Sequence, residues 1–292
     1  MGLWVDLNMN KSKITWGICQ EISDYILLDG INELKKSNKL YSVNDVGSKP
    51  GNYFISHDGK SYYIGEAKNI NKRLKQQINP KRSTFYKNYL KIPYIDTLLE
   101  INDFNIQVLI HSIGRKEIEE FGIVNLTTIL NKFQKGKRKR ISGNPNKGIW
   151  DEAQINADII LSEGENELLN VNPVDWYSAD VAINAGIYYV ENNVDGLIYI
   201  GESSNINQRY NTHSKDTYFS ALRRHIGTDI LGFELKERNK RKRYFSESEN
   251  KQINSYLDNC LLRTMKINFG RFELEEFLIR KHKPLLNRKE NK

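Results

Sequence analysis

The clearest alternation of apolar and polar positions lies in two stretches. Residues 51–65 run GNYFISHDGKSYYIG and residues 186–201 run GIYYVENNVDGLIYIG. In each, β-branched and aromatic residues flank an Asp-Gly pair, Asp58-Gly59 and Asp195-Gly196, which is the composition of a tight hairpin. Strands are expected near 51–56 and 61–65, and near 186–191 and 197–201, paired antiparallel. The period then turns helical. Ser203, Ser204 and Asn205 are N-cap candidates, and Arg209 and His213, four apart, would share one face of the helix that follows. A further helix is expected over about 271–282, where Leu274, Phe277, Leu278 and Lys281 recur at helical spacing and Pro284 ends it. Its counterpart covers 115–124, with Ile118, Phe121 and Gly122 buried. Gly122 stands where the later helix has Leu278, which is expected to thin the packing and cost about 1 kcal/mol of helix propensity. Glu275 and Glu119 sit at the edge of each apolar stripe, where a carboxylate reaches a site without being entombed.

The two stretches belong to one long repeat. Tyr63 and Tyr199 are 136 residues apart, and so are Arg73 and Arg209; downstream, GRKEIEEFGI at 114–123 matches GRFELEEFLI at 270–279 at an offset of 156. The second copy therefore carries about twenty extra residues in its middle, an insertion that a loop tolerates at low entropic cost. Self-similarity over such a length is a duplicated domain. The expected division is an N-terminal elaboration at 1–46, a first domain at 47–134, a basic linker and elaboration at 135–180, and a second domain at 181–292. Residues 1–40 and 150–175 are mixed helical and irregular, with no role assigned, and each repeat is long enough to bury its own core.

A net charge of +8 in 292 residues favours a polyanionic partner, nucleic acid first. No run of about eighteen apolar residues exists, and the N-terminus lacks the basic and apolar regions of a secretory signal, so the expected setting is the cytoplasm. Cys19 and Cys260 have no C-x-x-C spacing and no neighbouring histidine. They are expected to be reduced, buried thiols, and a zinc site is not supported.

GIY followed by YIG, an arginine ten residues after the second tyrosine, a glutamate heading E-x-x-L-I and an asparagine twelve beyond it resemble the GIY-YIG nuclease family. The second copy supplies Gly186, Tyr188, Tyr199, Gly201, Arg209, His213, Glu275 and Asn287 at those spacings. The first supplies Gly51, Tyr53, Tyr63, Gly65, Arg73, Glu119 and Asn131, but reads GNY with Asn52 and has Gln77 at the histidine position; glutamine neither relays a proton nor carries charge near neutral pH, so this copy is read as degenerate or weaker. The resemblance implies an α+β fold, two tandem small domains each with a three-stranded antiparallel sheet and flanking helices. It also implies hydrolysis of a DNA phosphodiester at one divalent metal, Mg²⁺ or Mn²⁺, on Glu275 and, if the first copy acts, on Glu119.

On that resemblance Arg209 would donate to the non-bridging oxygens, and Tyr188 would take the proton from the attacking water with a phenolate formed beside metal and arginine. Tyr199 would orient the phosphate or share the base role. His213 would assist proton traffic or bind phosphate, and Asn287 would hold Glu275 or the metal-bound water. The corresponding second site is Tyr53, Tyr63, Arg73, Gln77, Glu119 and Asn131. Two nuclease domains in one chain mimic a dimer suited to cutting both strands, as in restriction enzymes, where a cognate methyltransferase is the natural companion; oligomeric state is left open.

Two rivals stand beside this: a DNA-binding module with an inactive nuclease fold, and a repair-type or homing-type nicking endonuclease. His57, His111, His225 and His282 have no repeat partners and read as surface or packing residues, although His225 with Arg223 and Arg224 is a DNA-contact candidate. The basic runs at 135–140 and 238–243 read either as solvated loops or as phosphate clamps.

Overall fold

The computed structural model describes residues 14–288 apart from 94–97, 132–137, 142, 144–146 and 239. Helices α1 (Trp16–Glu21) and α2 (Ser23–Lys36) lead into the first hairpin, β1 (Gly51–His57) and β2 (Lys60–Ala67), followed by α3 (Ile70–Gln77), α4 (Thr84–Tyr89), β3 (Asn105–Ile110) and α5 (Arg115–Asn125). Helices α6 (Ile149–Ile155) and α7 (Ala157–Leu169) and the short β4 (Val174–Asp175) precede the second hairpin, β5 (Gly186–Asn192) and β6 (Gly196–Ser203). Then come α8 (Ile206–Lys215), α9 (Ala221–His225), a basic hairpin of β7 (Lys236–Arg238) and β8 (Arg241–Tyr244), α10 (Glu247–Asp258), β9 (Cys260–Lys266) and α11 (Arg271–His282). The result is a mixed helix and sheet fold with antiparallel sheets, of the expected α+β class.

The strand order is β2-β1-β3 in the first sheet and β4-β9-β5-β6 in the second. The second sheet is thus one strand wider than the three-stranded expectation, because β4 pairs Val174 with Leu262 and Asp175 with Leu261. The hairpins match residue by residue: Tyr53 opposes Gly65 and Tyr188 opposes Gly201, and each register slips at the same step, between Ile55 and Ser56 and between Val190 and Glu191. The extra length of the second repeat is spent on β7, β8 and α10.

Burial explains why the segments without a sequence-assigned role exist. One apolar cluster gathers Tyr53, Ile55, Phe85 and Phe104 around the first hairpin, and another gathers Trp176, Val190, Leu222 and Leu262 around the second. A third and larger cluster is common to both repeats. It joins Ile64, Ile118 and Phe121 to Ile200, Phe269 and Leu274 through Trp16, Leu27, Trp150 and Ile160 of α1, α2, α6 and α7. The core expected to be separate in each repeat is therefore partly held in common. Gly122 also has a different reason from the expected one: a Cβ there would meet Ile64 Cδ1 at 2.5 Å and Ile31 Cδ1 at 2.9 Å. The position is glycine because α2 packs close, so the packing beneath α5 is dense rather than thinned. Cys19 and Cys260 are free and buried, as expected, and among the described residues no helix is long and apolar enough to cross a membrane.

His111 is a packing residue, buried against the Trp150 ring at 5.0 Å between centroids, with Nε2 2.6 Å from Asn52 Oδ1. Burial, and after it the Arg115 guanidinium, push its pKa down to about 3. The folded form thus stays neutral where the unfolded chain protonates, so this contribution is present above a pH of about 6.5 and is lost as pH falls toward 3, at no more than about 1.4 kcal/mol per pH unit. Urea titrations of wild type and His111→Gln at about pH 7 and about pH 5 should show the stability gap between them narrowing at the lower pH.

Candidate active site

Four glycines fix the frame. A Cβ on Gly186 would lie 2.0 Å from the Met265 carbonyl oxygen of β9, and one on Gly51 would lie 2.2 Å from that of Leu109 in β3. Across each hairpin, a Cβ on Gly201 would lie 2.1 Å from Tyr188 Oη, and one on Gly65 would lie 2.4 Å from Tyr53 Oη. The first tyrosine of each motif therefore lies flat over the glycine of the second. The second tyrosine stacks beside it: Tyr188 and Tyr199 have centroids 6.0 Å apart at 19°, and Tyr53 and Tyr63 lie 5.9 Å apart at 28°.

Helix α8 starts at Asn205, whose side chain accepts from the Gln208 amide, and delivers Arg209 and His213 to Tyr188 from one face. Arg209 lies close enough to the Tyr188 hydroxyl for each to shift the other's pKa. His213 is fully buried, with Nε2 3.1 Å from Tyr188 Oη and Nδ1 2.6 Å from Ser220 Oγ. In the first repeat Arg73 Nε donates to Tyr53 Oη at 3.2 Å, Gln77 Nε2 donates to the same oxygen at 2.9 Å, and Gln77 Oε1 accepts from Ser83 at 3.1 Å. Glutamine thus repeats the histidine's hydrogen bonds without its proton chemistry. Burial, and after it Arg209, hold the His213 pKa well below its ordinary value. A neutral, enclosed ring does not reach a phosphate, which corrects that half of the expected role and leaves His213 positioning Tyr188.

Tyr188 is the more deeply buried of the two phenols. Burial, then the neighbouring Tyr199, push its pKa well above the usual phenol range, outweighing the opposing pull of Arg209. In this structure the phenol is neutral and serves as a hydrogen-bonding hub, while Tyr199 is the more exposed of the pair.

Asn287 does not hold Glu275. Its Oδ1 accepts from the Ile200 amide at 3.0 Å and its Nδ2 donates to the Ile200 carbonyl at 2.8 Å; Asn131 does the same for Ile64, at 2.9 and 2.8 Å. Because β6 and β2 are edge strands, their outward backbone groups need partners, and one side-chain amide satisfies both at the residue between the tyrosine and the glycine.

Glu275, on α11, is half-buried, and its Oε1 accepts from the Glu202 amide at 3.0 Å. Glu202 in turn lines an open cleft of about 560 Å³ with Arg209, Asn205, Gln208, Thr212 and Phe219. Glu275 is thus tied to a residue that borders the Arg209 cleft, and its charge, like that of Arg209, acts on Tyr188. A single half-buried carboxylate suits a cation that keeps most of its own water, and among the described residues no group of three or more His, Cys, Asp or Glu is gathered for tighter ligation. His225 Nδ1 rests 2.8 Å from the Leu286 carbonyl oxygen, and Arg223 is buried, donating to Thr217 Oγ1 and the Ser214 carbonyl. Arg223 holds the loop after α8, so the expected DNA contact through it does not survive. The basic run at 135–140 lies partly outside the described residues; Arg138, which is described, donates to Asp24 and to the Asn268 carbonyl.

The residues that sequence reasoning missed join the repeats. Helices α5 and α11 meet at their N-termini, where the Gly114 amide donates to Glu273 at 3.1 Å and the Gly270 amide to Glu117 at 3.2 Å. Arg115 pairs with Glu273 at 3.2 Å and Glu276 at 2.9 Å, and Arg271 with Glu117 at 3.9 Å and Glu120 at 2.9 Å; within its own repeat each arginine also faces a glutamate of the hairpin, Glu66 at 3.6 Å and Glu202 at 2.7 Å. Residue for residue, each repeat contacts the other as it is contacted, the isologous pattern of a two-fold dimer. The signal was in the sequence, since Gly, Arg, Glu and Glu recur at the same offset in GRKEIEEF and GRFELEEF.

Neither a curated protein nor a solved structure matches the chain. Residues 173–292 match the family model of the GIY-YIG catalytic domain, so the segment holding Tyr188, Tyr199, Arg209 and Glu275 is one whose family indicates nuclease activity.

Proposed function

We propose that this chain is a metal-dependent DNA endonuclease of restriction or defence type, with its cutting site in the second repeat. The observation that carries the reading is the convergence of Arg209 and Glu275 on Tyr188, whose pKa the charges of both affect, with Glu275 hydrogen-bonded to Glu202 at the edge of the Arg209 cleft. Glu275 is the residue that would hold Mg²⁺ or Mn²⁺, and the bound cation would neutralise charge on the phosphate and lower the pKa of its water. Arg209 donates to the non-bridging oxygens of the scissile phosphate in the geometry that suits a guanidinium. Tyr188, held by His213, keeps Arg209 in place, and Tyr199 is the phenol placed to meet the attacking water. The basic hairpin supports DNA as substrate: Arg241 and Arg243 are exposed and lie over the Tyr218 ring, beside Phe219, which is 64% exposed and lines the cleft.

The test is supercoiled plasmid incubated with the protein in Mg²⁺ and in EDTA. Cutting is expected in Mg²⁺ alone, and Arg209→Ala should slow it by about 10²- to 10³-fold, the usual loss of one donor to the developing charge. An equal rate in EDTA, or a wild-type rate for Arg209→Ala, would remove the reading.

A further inference from the structure

The first repeat builds the same frame and then departs from the second on one face. Lys116 Nζ lies 2.5 Å from Glu119 Oε2, with both side chains largely enclosed at 16% and 12% exposure. The residue at that position in the second repeat is Phe272. The ammonium already supplies the positive charge beside the carboxylate, so Glu119 does not fit a divalent cation, which corrects the expectation of a metal there. With Gln77 in place of histidine, the first repeat keeps the shape of the site and loses its two chemical parts.

It gains cations instead. On the outer face of α3, Lys72 and Lys75 stand where α8 has Gln208 and Asn211. With Arg82 they line an open cleft of about 380 Å³ that also includes Asn69 and Asn71. This cleft overlaps the position of the Arg209 cleft, since Asn69 and Lys72 correspond to Asn205 and Gln208. All three cations are exposed, and among the described residues none of them forms an ion pair. Exposed lysines and an arginine along this cleft suit phosphates spaced along a strand, which a protein binds through released counterions. The two-fold pattern of the α5–α11 contacts also suits the dyad symmetry of a duplex.

We propose that the first repeat is a metal-independent site for the phosphate backbone of duplex DNA, holding the substrate while the second repeat cuts; Lys116 fills the place of the cation, and Lys72, Lys75 and Arg82 hold the phosphates. This rests on the second repeat being a DNA nuclease. The test uses the full chain and a fluorescein-labelled duplex in EDTA, with binding followed by anisotropy across a salt titration. Wild type should bind, and the triple change Lys72→Ala, Lys75→Ala, Arg82→Ala should weaken binding at least about tenfold and make the slope of log K against log salt shallower by about 3. These three residues are exposed, so the fold is not at stake. An unchanged affinity and slope would overturn the proposal.

A second readout is the number of Mn²⁺ ions bound per chain, counted by electron paramagnetic resonance. Glu119→Ala should leave that number unchanged, and loss of one Mn²⁺ on this change would overturn the proposal. A chain that binds DNA through Lys72, Lys75 and Arg82 yet cuts nothing in any metal would sink the nuclease reading and leave the phosphate site standing without its role in cutting. A chain that cuts but is indifferent to the triple change would do the reverse.

Discussion

Arg271→Met should lower the free energy of unfolding by about 3–5 kcal/mol, the range seen when one partner of a buried ion pair is removed. Arg271 is 0% exposed, and its guanidinium faces Glu120 and Glu202 within hydrogen-bonding distance, with Glu117 at 3.9 Å. Methionine matches the volume and leaves the buried Glu117 and Glu120 and the half-buried Glu202 without the Arg271 charge, Glu120 keeping Arg138 at 3.9 Å, so the cost comes from the acids left behind rather than from a cavity. The effect reaches the site as well. The Glu202 side chain is held by Arg271 while its amide holds Glu275, so loosening Glu202 should also reduce cutting. Urea denaturation checks the first expectation; a loss under about 1 kcal/mol would mean that the network relaxes or takes in water, as surface pairs do.

Local chemistry made much of the frame legible. Asp-Gly pairs between alternating strands set both hairpins, and GIY with YIG carries its own steric logic, because glycine is the one residue that lets tyrosine lie across the neighbouring strand. The capped start of α8 at Asn205 was likewise readable.

What stayed hidden depends on partners distant in sequence. Gly122 looks like a defect until Ile31 of α2 is found against it. Asn287 and Asn131 recur at the right spacing, but spacing does not say that an amide will pair with an edge strand instead of a carboxylate. Arg115 and Arg271 drew no reading from the sequence, since nothing local reports that two helix starts face each other. The neutral state of Tyr188 follows from complete burial, which no motif encodes. Lys116 sits three residues before Glu119 in plain view, and its meaning emerged only once its ammonium was found on that carboxylate.

The central claim is that the second repeat splits DNA at Glu275. That residue is half-buried and accepts from the Glu202 amide, a contact worth about 1 kcal/mol. Its removal should cost the fold little and take away the carboxylate proposed to hold the cation, a loss of several kcal/mol from the transition state, or about three orders of magnitude in rate. The decisive measurement is the rate of plasmid cutting in Mg²⁺ by wild type and by Glu275→Ala, each with its unfolding midpoint measured alongside. The account predicts cutting by wild type, a fall of about 10³-fold or more in the variant, and nearly equal midpoints. A folded Glu275→Ala that cuts at the wild-type rate, or a wild type that cuts no DNA in any divalent metal, would contradict it.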